Sequence, residues 1–327
     1  MSYHFTNKHD ASLALVTFLL HDSYDYDERT NAISVTTLMR PLRQIVLTQQ
    51  FKDKSKTIDV MDLVASRMGQ AIHSGCEEAW SNRETISKAL QVLGATDKAI
   101  NAVKINPVSV KPGEIPVYVE QRTEREILGY ILTGKFDLAL DGYIHDFKST
   151  SVWGFIYDSN ASKHALQGSL YKWLNPDKIT SNYINIHYIF TDWSSSKARQ
   201  DPRGYPKTRA VTKQYPLMGM PAVEEWIQFK LKQYTELKNK SQSELPLCTD
   251  EELWATQTVH KYYNNPNNMS RATKNFNSLE EAEAHKTNKG TGIVITVPGE
   301  VKACTYCQVI DYCEQAKALE SEGRLVR

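Results

Sequence analysis

Apolar residues in the first third of the chain recur at steps of three and four, the spacing of a helix that buries one face. The strongest such pattern runs over residues 59–82. Its apolar positions are Val60, Leu63, Val64, Met68, Ile72, Ala79 and Trp80. A second helical pattern covers residues 33–50, in which Pro41 marks either a break or a first helical turn. The pattern therefore predicts a mostly helical N-terminal region.

Near Pro107 the pattern changes, and residues 115–150 are rich in β-branched and aromatic side chains that alternate in places with other residues. Asp141-Gly142 separates two of these runs and is a hairpin signal. The later pattern predicts a helix over 162–174, a strand over 183–190 and an amphipathic helix over 221–240. Helices around a strand-rich centre indicate a mixed α/β or α+β fold.

From Ser241 the chain turns polar, with many asparagine and lysine residues, down to a group of cysteines. We therefore divide the sequence into three consecutive domains. Residues 1–110 form the helical N-terminal region, residues 111–243 the strand-rich core, and residues 244–327 a small C-terminal module.

Composition excludes several classes of protein. The 39 basic and 38 acidic side chains give a net charge of +1, which argues against a histone-like polycation. No apolar run approaches the roughly 18 residues that span a membrane, and the N-terminus lacks the apolar core of a signal peptide. We expect a soluble cytoplasmic protein without a membrane partner.

The predicted hairpin carries a group of residues that could do chemistry. Asp137 lies in its first strand, and Asp146 and Lys148 share one face of its second strand. Pairing of the strands brings Asp137 level with Asp146. Two carboxylates suit Mg²⁺ or Mn²⁺, and a nearby lysine can orient or deprotonate a water that attacks a phosphodiester. Taken alone, these residues also fit a solvated hairpin at the edge of a sheet.

Two helical pairs add to this group. His73 follows Gly69 by four residues on the predicted helix, where a small residue allows close approach and imidazole could reach a metal. Gln167 and Tyr171 have the same spacing on the later helix. The alternatives are a buried histidine satisfied by hydrogen bonds and a half-exposed helix face.

The order Gly-x-x-x-His, Gly-x-x-Asp, Asp-x-Lys-Ser/Thr, Gln-x-x-x-Tyr resembles the RecB-like branch of the PD-(D/E)XK nucleases. The resemblance covers residues 59–174, and phage-encoded members are also similar over residues 38–47. It implies a restriction-endonuclease-like fold, in which helices flank a mixed β-sheet.

The resemblance also implies roles for individual residues. His73, Asp137 and Asp146 would ligate the metal ion, with the carbonyl of Phe147 as a further ligand. Lys148 would act on the attacking water, and two residues, Gln167 and Tyr171, would shape the site and contact DNA. The chain departs from the family at position 146, where glutamate is commoner than aspartate. Glu120 could be an auxiliary acid or a solvated charge at a strand end.

Three cysteines near the C-terminus, Cys304, Cys307 and Cys313, have the spacing C-x2-C-x5-C, which suits one soft metal centre. The fourth ligand would be Cys248 or, as a rival, Cys76. Iron–sulphur members of the RecB-like nucleases are similar in this C-terminal spacing, which implies a [4Fe-4S] cluster. Zn²⁺ accepts the same ligands, and three free thiols are the remaining alternative.

Residues 196–213 contain six basic side chains and one acid, with Tyr205 among them. This composition suits a loop that tracks DNA phosphates and offers one stacking surface, although such runs are often solvated loops.

These observations and the resemblance together predict a divalent-metal-dependent DNA nuclease. We expect an exonuclease that serves phage-type recombination, repair or replication. Its partners would be DNA and, among proteins, a recombinase, a single-strand annealing protein or a helicase; a homo-oligomer is also compatible with the sequence. The alternatives are an inactive or structural DNA-binding protein whose metal module is held by four cysteines, and an endonuclease specific for a structure or a sequence.

Overall fold

Alternation of apolar and polar residues in the middle of the chain produces the strands of the main sheet, which is mixed; further strands form smaller sheets. The computed structural model describes residues 2–22, 27 and 29–326. The strands are β1 (Ser2–Thr6), β2 (Ala32–Ser34), β3 (Ser55–Asp59), β4 (Val103–Ile105), β5 (Ile115–Ile127), β6 (Tyr130–Leu140), β7 (Tyr143–Thr150), β8 (Tyr183–Phe190), β9 (Ala210–Pro216), β10 (Val259–Tyr263), β11 (Lys274–Phe276) and β12 (Ile293–Val297).

Helices surround these strands, and five of the twelve named here coincide with segments that the sequence predicts to be helical. The helices are α1 (Leu13–Leu20), α2 (Val35–Leu38), α3 (Leu42–Gln50), α4 (Val64–Ser81), α5 (Arg83–Val92), α6 (Asp97–Ala102), α7 (Val152–Ile156), α8 (Ala161–Leu174), α9 (Ser195–Gln200), α10 (Met220–Leu237), α11 (Leu279–Lys289) and α12 (Glu314–Ser321). Pro41 separates α2 from α3, so the predicted break is confirmed. Among the described residues, no helix combines the length and apolar character needed to cross a bilayer.

The chain groups into two compact units, each built from separate stretches of sequence. The sheet unit comprises Tyr3–Met39 and Thr57–Lys232. The cysteine unit comprises Met1–Ser2, Arg40–Lys56 and Gln233–Arg327. The domains predicted from the sequence are consecutive segments, whereas each of these units combines separate stretches. The predicted domain boundaries stay a prediction.

The main sheet of the sheet unit has seven strands, in the order β4-β5-β6-β7-β8-β9 with β2 added beside β6, and β1 pairs separately with β3. Its pairs are both parallel and antiparallel, for example β6 with β7 antiparallel and β7 with β8 parallel. Helix α4 packs against β5 and β7, and α8 packs against β6 and β8. The predicted mixed α/β fold, with helices flanking a mixed sheet, is therefore confirmed.

The two helices lie on opposite faces of this sheet. On β7, Asp146 contacts Gln167 of α8, whereas Ser149 lies beside Gly69 of α4. Successive side chains of a strand point to opposite faces of the sheet. Asp146 and Ser149 are three positions apart, so they lie on opposite faces. The sheet is thus covered on both faces at the strands that carry Asp137 and Asp146.

The cysteine unit contains a second, smaller sheet. Strand β10 pairs antiparallel with β11 and β12, and α11 packs on these three strands. Thr256 and Glu300 bond to each other at the two ends of this segment. The small sheet is therefore an insertion in the chain between Cys248 and Cys304, and hydrogen bonds join the two ends of this insertion.

Candidate active site

Three side chains in the sheet unit bring potential metal ligands together. His73 comes from α4, Glu120 from β5 and Asp137 from β6, and one ligand atom of each lies within 4.8 Å of the other two. His73 Nδ1 is 3.1 Å from Asp137 Oδ2. In residues 2–22, 27 and 29–326 this is the only group of three or more such ligands so closely spaced. One nitrogen and two carboxylates suit a hard divalent cation.

A tight hairpin sets the register that brings the two aspartates level. Asp141 and Gly142 both have positive φ, at 48° and 82°, which is typical of the two-residue turn that Asp-Gly favours. The ladder pairs Leu140 with Tyr143 and ends at Leu138 with His145. Asp137 and Asp146 are the next two residues, opposite each other where β6 and β7 separate. The predicted hairpin is confirmed. At its open end, side chains from both faces of the sheet can come close to each other.

A local distortion of β5 presents Glu120 to the same place. The ladder between β5 and β6 pairs Val119 with Leu138 and Gln121 with Phe136, and omits Glu120. Glu120 has φ of 49°, which non-glycine residues rarely adopt and which costs on the order of 1–3 kcal/mol. Such strain persists where its surroundings impose it, commonly at functional sites. Glu120 is therefore in the middle of β5 and not at a strand end, as the sequence had suggested.

Asp146 is held by side chains from two directions. It is only 2% exposed, its Oδ2 lies 2.7 Å from Lys148 Nζ, and its Oδ1 accepts a hydrogen bond from Gln167 at 3.0 Å. Gln167 Nε2 also lies 3.3 Å from the hydroxyl of Tyr171. Gln167 of the predicted Gln-x-x-x-Tyr pair thus contacts a carboxylate directly, and Tyr171 contacts Gln167. Asp146 itself is not part of the close group with His73.

The backbone of Phe147 contributes through its amide. Phe147 N–H donates to Asp137 Oδ2 at 3.0 Å, which fixes that carboxylate beside His73. The predicted use of the Phe147 carbonyl as a metal ligand stays a prediction.

Close packing of α8 on β6 brings Gln167 and Tyr171 into range. A Cβ atom on Gly134 of β6 would lie 2.6 Å from a methyl group of Leu174 and 3.2 Å from the ring of Tyr171. Only glycine fits there without displacing the helix, because real Cβ atoms do not approach neighbours so closely. The Gly-x-x-Asp motif therefore combines a close approach at Gly134 with the candidate ligand Asp137.

The charges of the site shift the pKa values of its members. The hydrogen bond with Asp137 raises the pKa of His73. Burial acts to raise the pKa of Asp137, but the bond and charge of His73 and the amide of Phe147 outweigh it and lower that pKa. Burial acts to lower the pKa of Lys148, yet the charges of Asp146 and Asp137 keep that pKa above its ordinary value. The geometry therefore stabilises a cationic lysine beside the carboxylates.

A cleft of about 560 Å³ opens onto these residues. Its walls include Ser34, Thr36, Gln70, Arg122, Thr133 and Lys135, besides the residues described above. Lys135 Nζ lies 2.6 Å from Glu120. Arg122 and Lys135 were not identified from the sequence. They lie opposite each other in the ladder between β5 and β6, so the register of this strand pair is the signal that could have found them.

The basic segment over residues 196–213 differs from the prediction in one respect. It contains part of α9, a turn and the start of β9, and its basic side chains are mostly exposed. Tyr205, however, is only 7% exposed, and its hydroxyl accepts a hydrogen bond from the Ser194 amide at 3.0 Å. The predicted stacking surface at Tyr205 is therefore wrong, because the ring is used to close the turn.

Four cysteines line one cavity of the cysteine unit. Cys248, Cys304, Cys307 and Cys313 share it with apolar side chains such as Leu47 and Val309. No disulfide joins them, and Cys76 instead lines a small cavity beside His73 in the sheet unit. Burial raises the pKa of Cys248 to about 12. We call this cavity, with its four cysteines, the cysteine cavity.

Comparison with known proteins identifies no family. No protein-family model and no curated protein matches the chain. The crystal structure of SSO0001 is similar with a TM-score of 0.40 and 16% sequence identity, over 71% of this chain and 89% of that one. The structure of a phage-related exonuclease from Haemophilus somnus 129PT gives a TM-score of 0.35 and 13% identity, over 60% and 80%. Both scores are too low to carry a conclusion about the site.

Proposed function

We propose that this chain is a divalent-metal-dependent DNA nuclease that hydrolyses phosphodiester bonds as an exonuclease. The observation that carries the proposal is the close group of His73, Glu120 and Asp137 beside the Asp146–Lys148 pair. Ligands for a hard cation and a cationic lysine meet at the floor of one open cleft. Phosphoryl chemistry requires this combination, because charge that develops on phosphate oxygens must be stabilised.

Each residue of the cleft would have its own role in hydrolysis. His73, Glu120 and Asp137 would hold Mg²⁺ or Mn²⁺, with Asp146 available on the other side of Asp137. When bound, the cation polarises the phosphate and lowers the pKa of a water. Lys148, kept cationic by its carboxylates, would orient that water or donate to a phosphate oxygen. The water oxygen bonds to phosphorus as the bond to the 3′ oxygen breaks, which leaves a 5′-phosphate and a 3′-hydroxyl.

Positive side chains provide a path for the DNA backbone. Arg122 and Lys135 line the cleft, and the exposed basic residues of segment 196–213 extend the positive surface of the same unit. Each phosphate that these side chains neutralise releases counterions, so that DNA binding should weaken steeply with salt. The proposal therefore keeps the phosphate-tracking role of segment 196–213 and omits Tyr205.

We further propose that the cysteine cavity holds a [4Fe-4S] cluster through Cys248, Cys304, Cys307 and Cys313. All four cysteines line one otherwise largely apolar cavity, which suits a soft centre. A single Zn²⁺ with bonds of about 2.3 Å would require sulfurs about 3.8 Å apart. In the described part of the chain, no three cysteine sulfurs all lie within 4.8 Å of one another. Iron content and the visible absorbance band of the purified protein distinguish a cluster from Zn²⁺.

The test is DNA cleavage by the full chain on linear and circular duplexes, in Mg²⁺ and in EDTA. We expect degradation of the linear duplex only, and only in Mg²⁺. Asp137→Asn should abolish it, whereas Asp141→Asn should not, because that exposed turn residue lies on the same hairpin and asparagine fits its positive φ. Cleavage in EDTA, or wild-type rates for Asp137→Asn, would contradict the proposal. Cutting of the circle would indicate an endonuclease, and binding without cleavage a DNA-binding protein.

A further inference from the structure

A buried arginine from the N-terminal part of the chain lies at the cysteine cavity. Arg43, in α3, is 3% exposed and lines this cavity together with the four cysteines. Residues 40–56 belong to the same compact unit as the last third of the chain. The contact between Arg43 and Cys313 thus joins positions 270 residues apart within one unit.

The guanidinium group is fixed by several hydrogen bonds. Its Nε donates to Cys313 Sγ at 3.5 Å. Its Nη1 donates to the carbonyl oxygens of Gln242 and Leu245 at 3.1 and 3.3 Å, and its Nη2 donates to Gln242 Oε1 at 3.3 Å. The partners are three neutral oxygens and one sulfur, so that the orientation of the group is set by its surroundings.

This positive charge has no carboxylate to balance it. Within residues 2–22, 27 and 29–326, no acidic oxygen pairs with Arg43, whereas other arginines such as Arg29 and Arg324 have acidic partners. A buried charge is costly unless an opposite charge compensates it. The sulfur of Cys313 is the one contact that can become an anion, and it does so when a metal centre is bound.

We infer that Arg43 is the charge partner of the cysteine centre, and that it raises the reduction potential of the cluster bound there. The inference rests on the [4Fe-4S] cluster proposed above. A cluster held by four thiolates carries negative charge, which increases by one on reduction. A fixed cation and an N–H donor at one sulfur stabilise the reduced form more than the oxidised form.

Lys56 is a second cation of the same unit, but it acts differently. Its Nζ donates to the carbonyl oxygen of Cys307 at 3.0 Å and not to a sulfur. Of the two residues, Arg43 alone combines burial, a contact with a ligand sulfur and a missing counter-charge. The effect on the cluster should therefore be larger for Arg43 than for Lys56.

The test compares full-length proteins purified without oxygen: wild type, Arg43→Gln, Arg43→Lys and the control Arg324→Gln. Arg324 lies in the same unit and also donates to a backbone oxygen, but it does not line the cysteine cavity. Iron content, the visible absorbance band and the reduction potential would be measured. We expect Arg43→Gln to disfavour reduction at least tenfold, about 59 mV for one electron, with Arg43→Lys between it and the wild type. Arg324→Gln should match the wild type.

Each outcome decides between defined alternatives. An unchanged potential in iron-loaded Arg43→Gln overturns the inference while the cluster proposal stands. If Arg43→Gln cannot be obtained with iron, Arg43→Met decides, because it also removes the charge and the donors; an unshifted potential in that variant overturns the inference. A wild-type protein without iron removes the cluster proposal and this inference with it, independently of DNA cleavage.

Discussion

The cleft of the sheet unit and the cysteine cavity are two candidate metal centres that are built in opposite ways. In the cleft, His73, Glu120 and Asp137 come from one helix and two strands of a seven-stranded sheet. In the cysteine cavity, Cys304 lies on a short 3₁₀ helix, Cys307 ends that helix and Cys313 precedes α12. A helix and two strands fix the first set of candidate ligands without a metal ion, whereas turns hold the second set.

This difference in how the candidate ligands are held indicates which function each centre is suited for. A prearranged, open cleft lined by charged groups can exchange its metal ion and admit a substrate, as catalysis requires. In the cysteine cavity, where the candidate soft ligands lie on turns, the proposed cluster would order its ligands, because metal binding is coupled to folding. The two centres should therefore be separable by mutation.

The largest effect we expect comes from exchanging one ligand at each centre. Asp137→Asn should lower DNA cleavage by about 10³-fold or more and leave the visible band of the cysteine centre intact. Cys304→Ser should remove that band and make the cysteine unit more sensitive to proteolysis. Cleavage assays, absorbance spectra and limited proteolysis of both variants would measure this. Loss of the band in Asp137→Asn would mean that the centres are not independent.

Chelation should separate the two centres without mutation. EDTA should abolish cleavage, and added Mg²⁺ should restore it fully, because the cleft ligands keep their places without the ion. The iron content and absorbance band should persist through the same cycle, since a cluster held by four thiolates does not exchange in this way. Irreversible loss of cleavage after EDTA would show that the cleft depends on its metal for structure.

A smaller effect is expected from the strained ligand of the cleft. Glu120→Gln keeps the size and one acceptor oxygen but removes the charge, and should weaken Mg²⁺ binding roughly 10- to 100-fold. Cleavage would then be restored in part by raising Mg²⁺. The matched variant Glu126→Gln changes an exposed residue of the same strand and should have no effect. An unchanged Mg²⁺ requirement in Glu120→Gln would remove this residue from the ligand set.

The sequence predicted the parts of the cleft that depend on local patterns. Asp141-Gly142 encodes its turn through backbone preferences, and the alternation of β6 and β7 then places Asp137 against Asp146. Helical spacing placed His73 on α4. These steps involve residues close in sequence, where periodicity and turn chemistry determine geometry.

The parts that the sequence did not predict depend on tertiary contacts. The placement of Glu120 in the cleft accompanies its positive φ at the point where the ladder between β5 and β6 omits one residue, and no local pattern reveals this. Arg43 reaches Cys313 across 270 positions of sequence. Tyr205 lies in a polar, basic segment that suggests exposure, yet its hydroxyl binds the Ser194 amide and the ring is buried.

The smallest effect we expect is a difference in acid sensitivity between the two units. His164, in the sheet unit, is 7% exposed and its ring packs against Tyr188 and Tyr215. Burial first, and then the charge of Lys148, lowers its pKa to about 4. His285, in the cysteine unit, also has a lowered pKa, chiefly from burial and then from the charges of Lys274 and Lys289, but its ring is less enclosed.

The sign follows from the two states of the His164 ring. Unfolded, this histidine has a pKa of about 6.5, so between pH 6.5 and pH 4 the unfolded chain binds more protons than the folded one. The free energy of unfolding should therefore fall as pH decreases through this window, by on the order of 2 kcal/mol for His164. Urea unfolding of His164→Phe at pH 7 and pH 5 should show a smaller fall than the wild type. His145, with a pKa also lowered to about 4, would account for part of what remains. His285→Phe should retain the wild-type fall, and an equal reduction in both variants would contradict the assignment of acid sensitivity to the sheet unit.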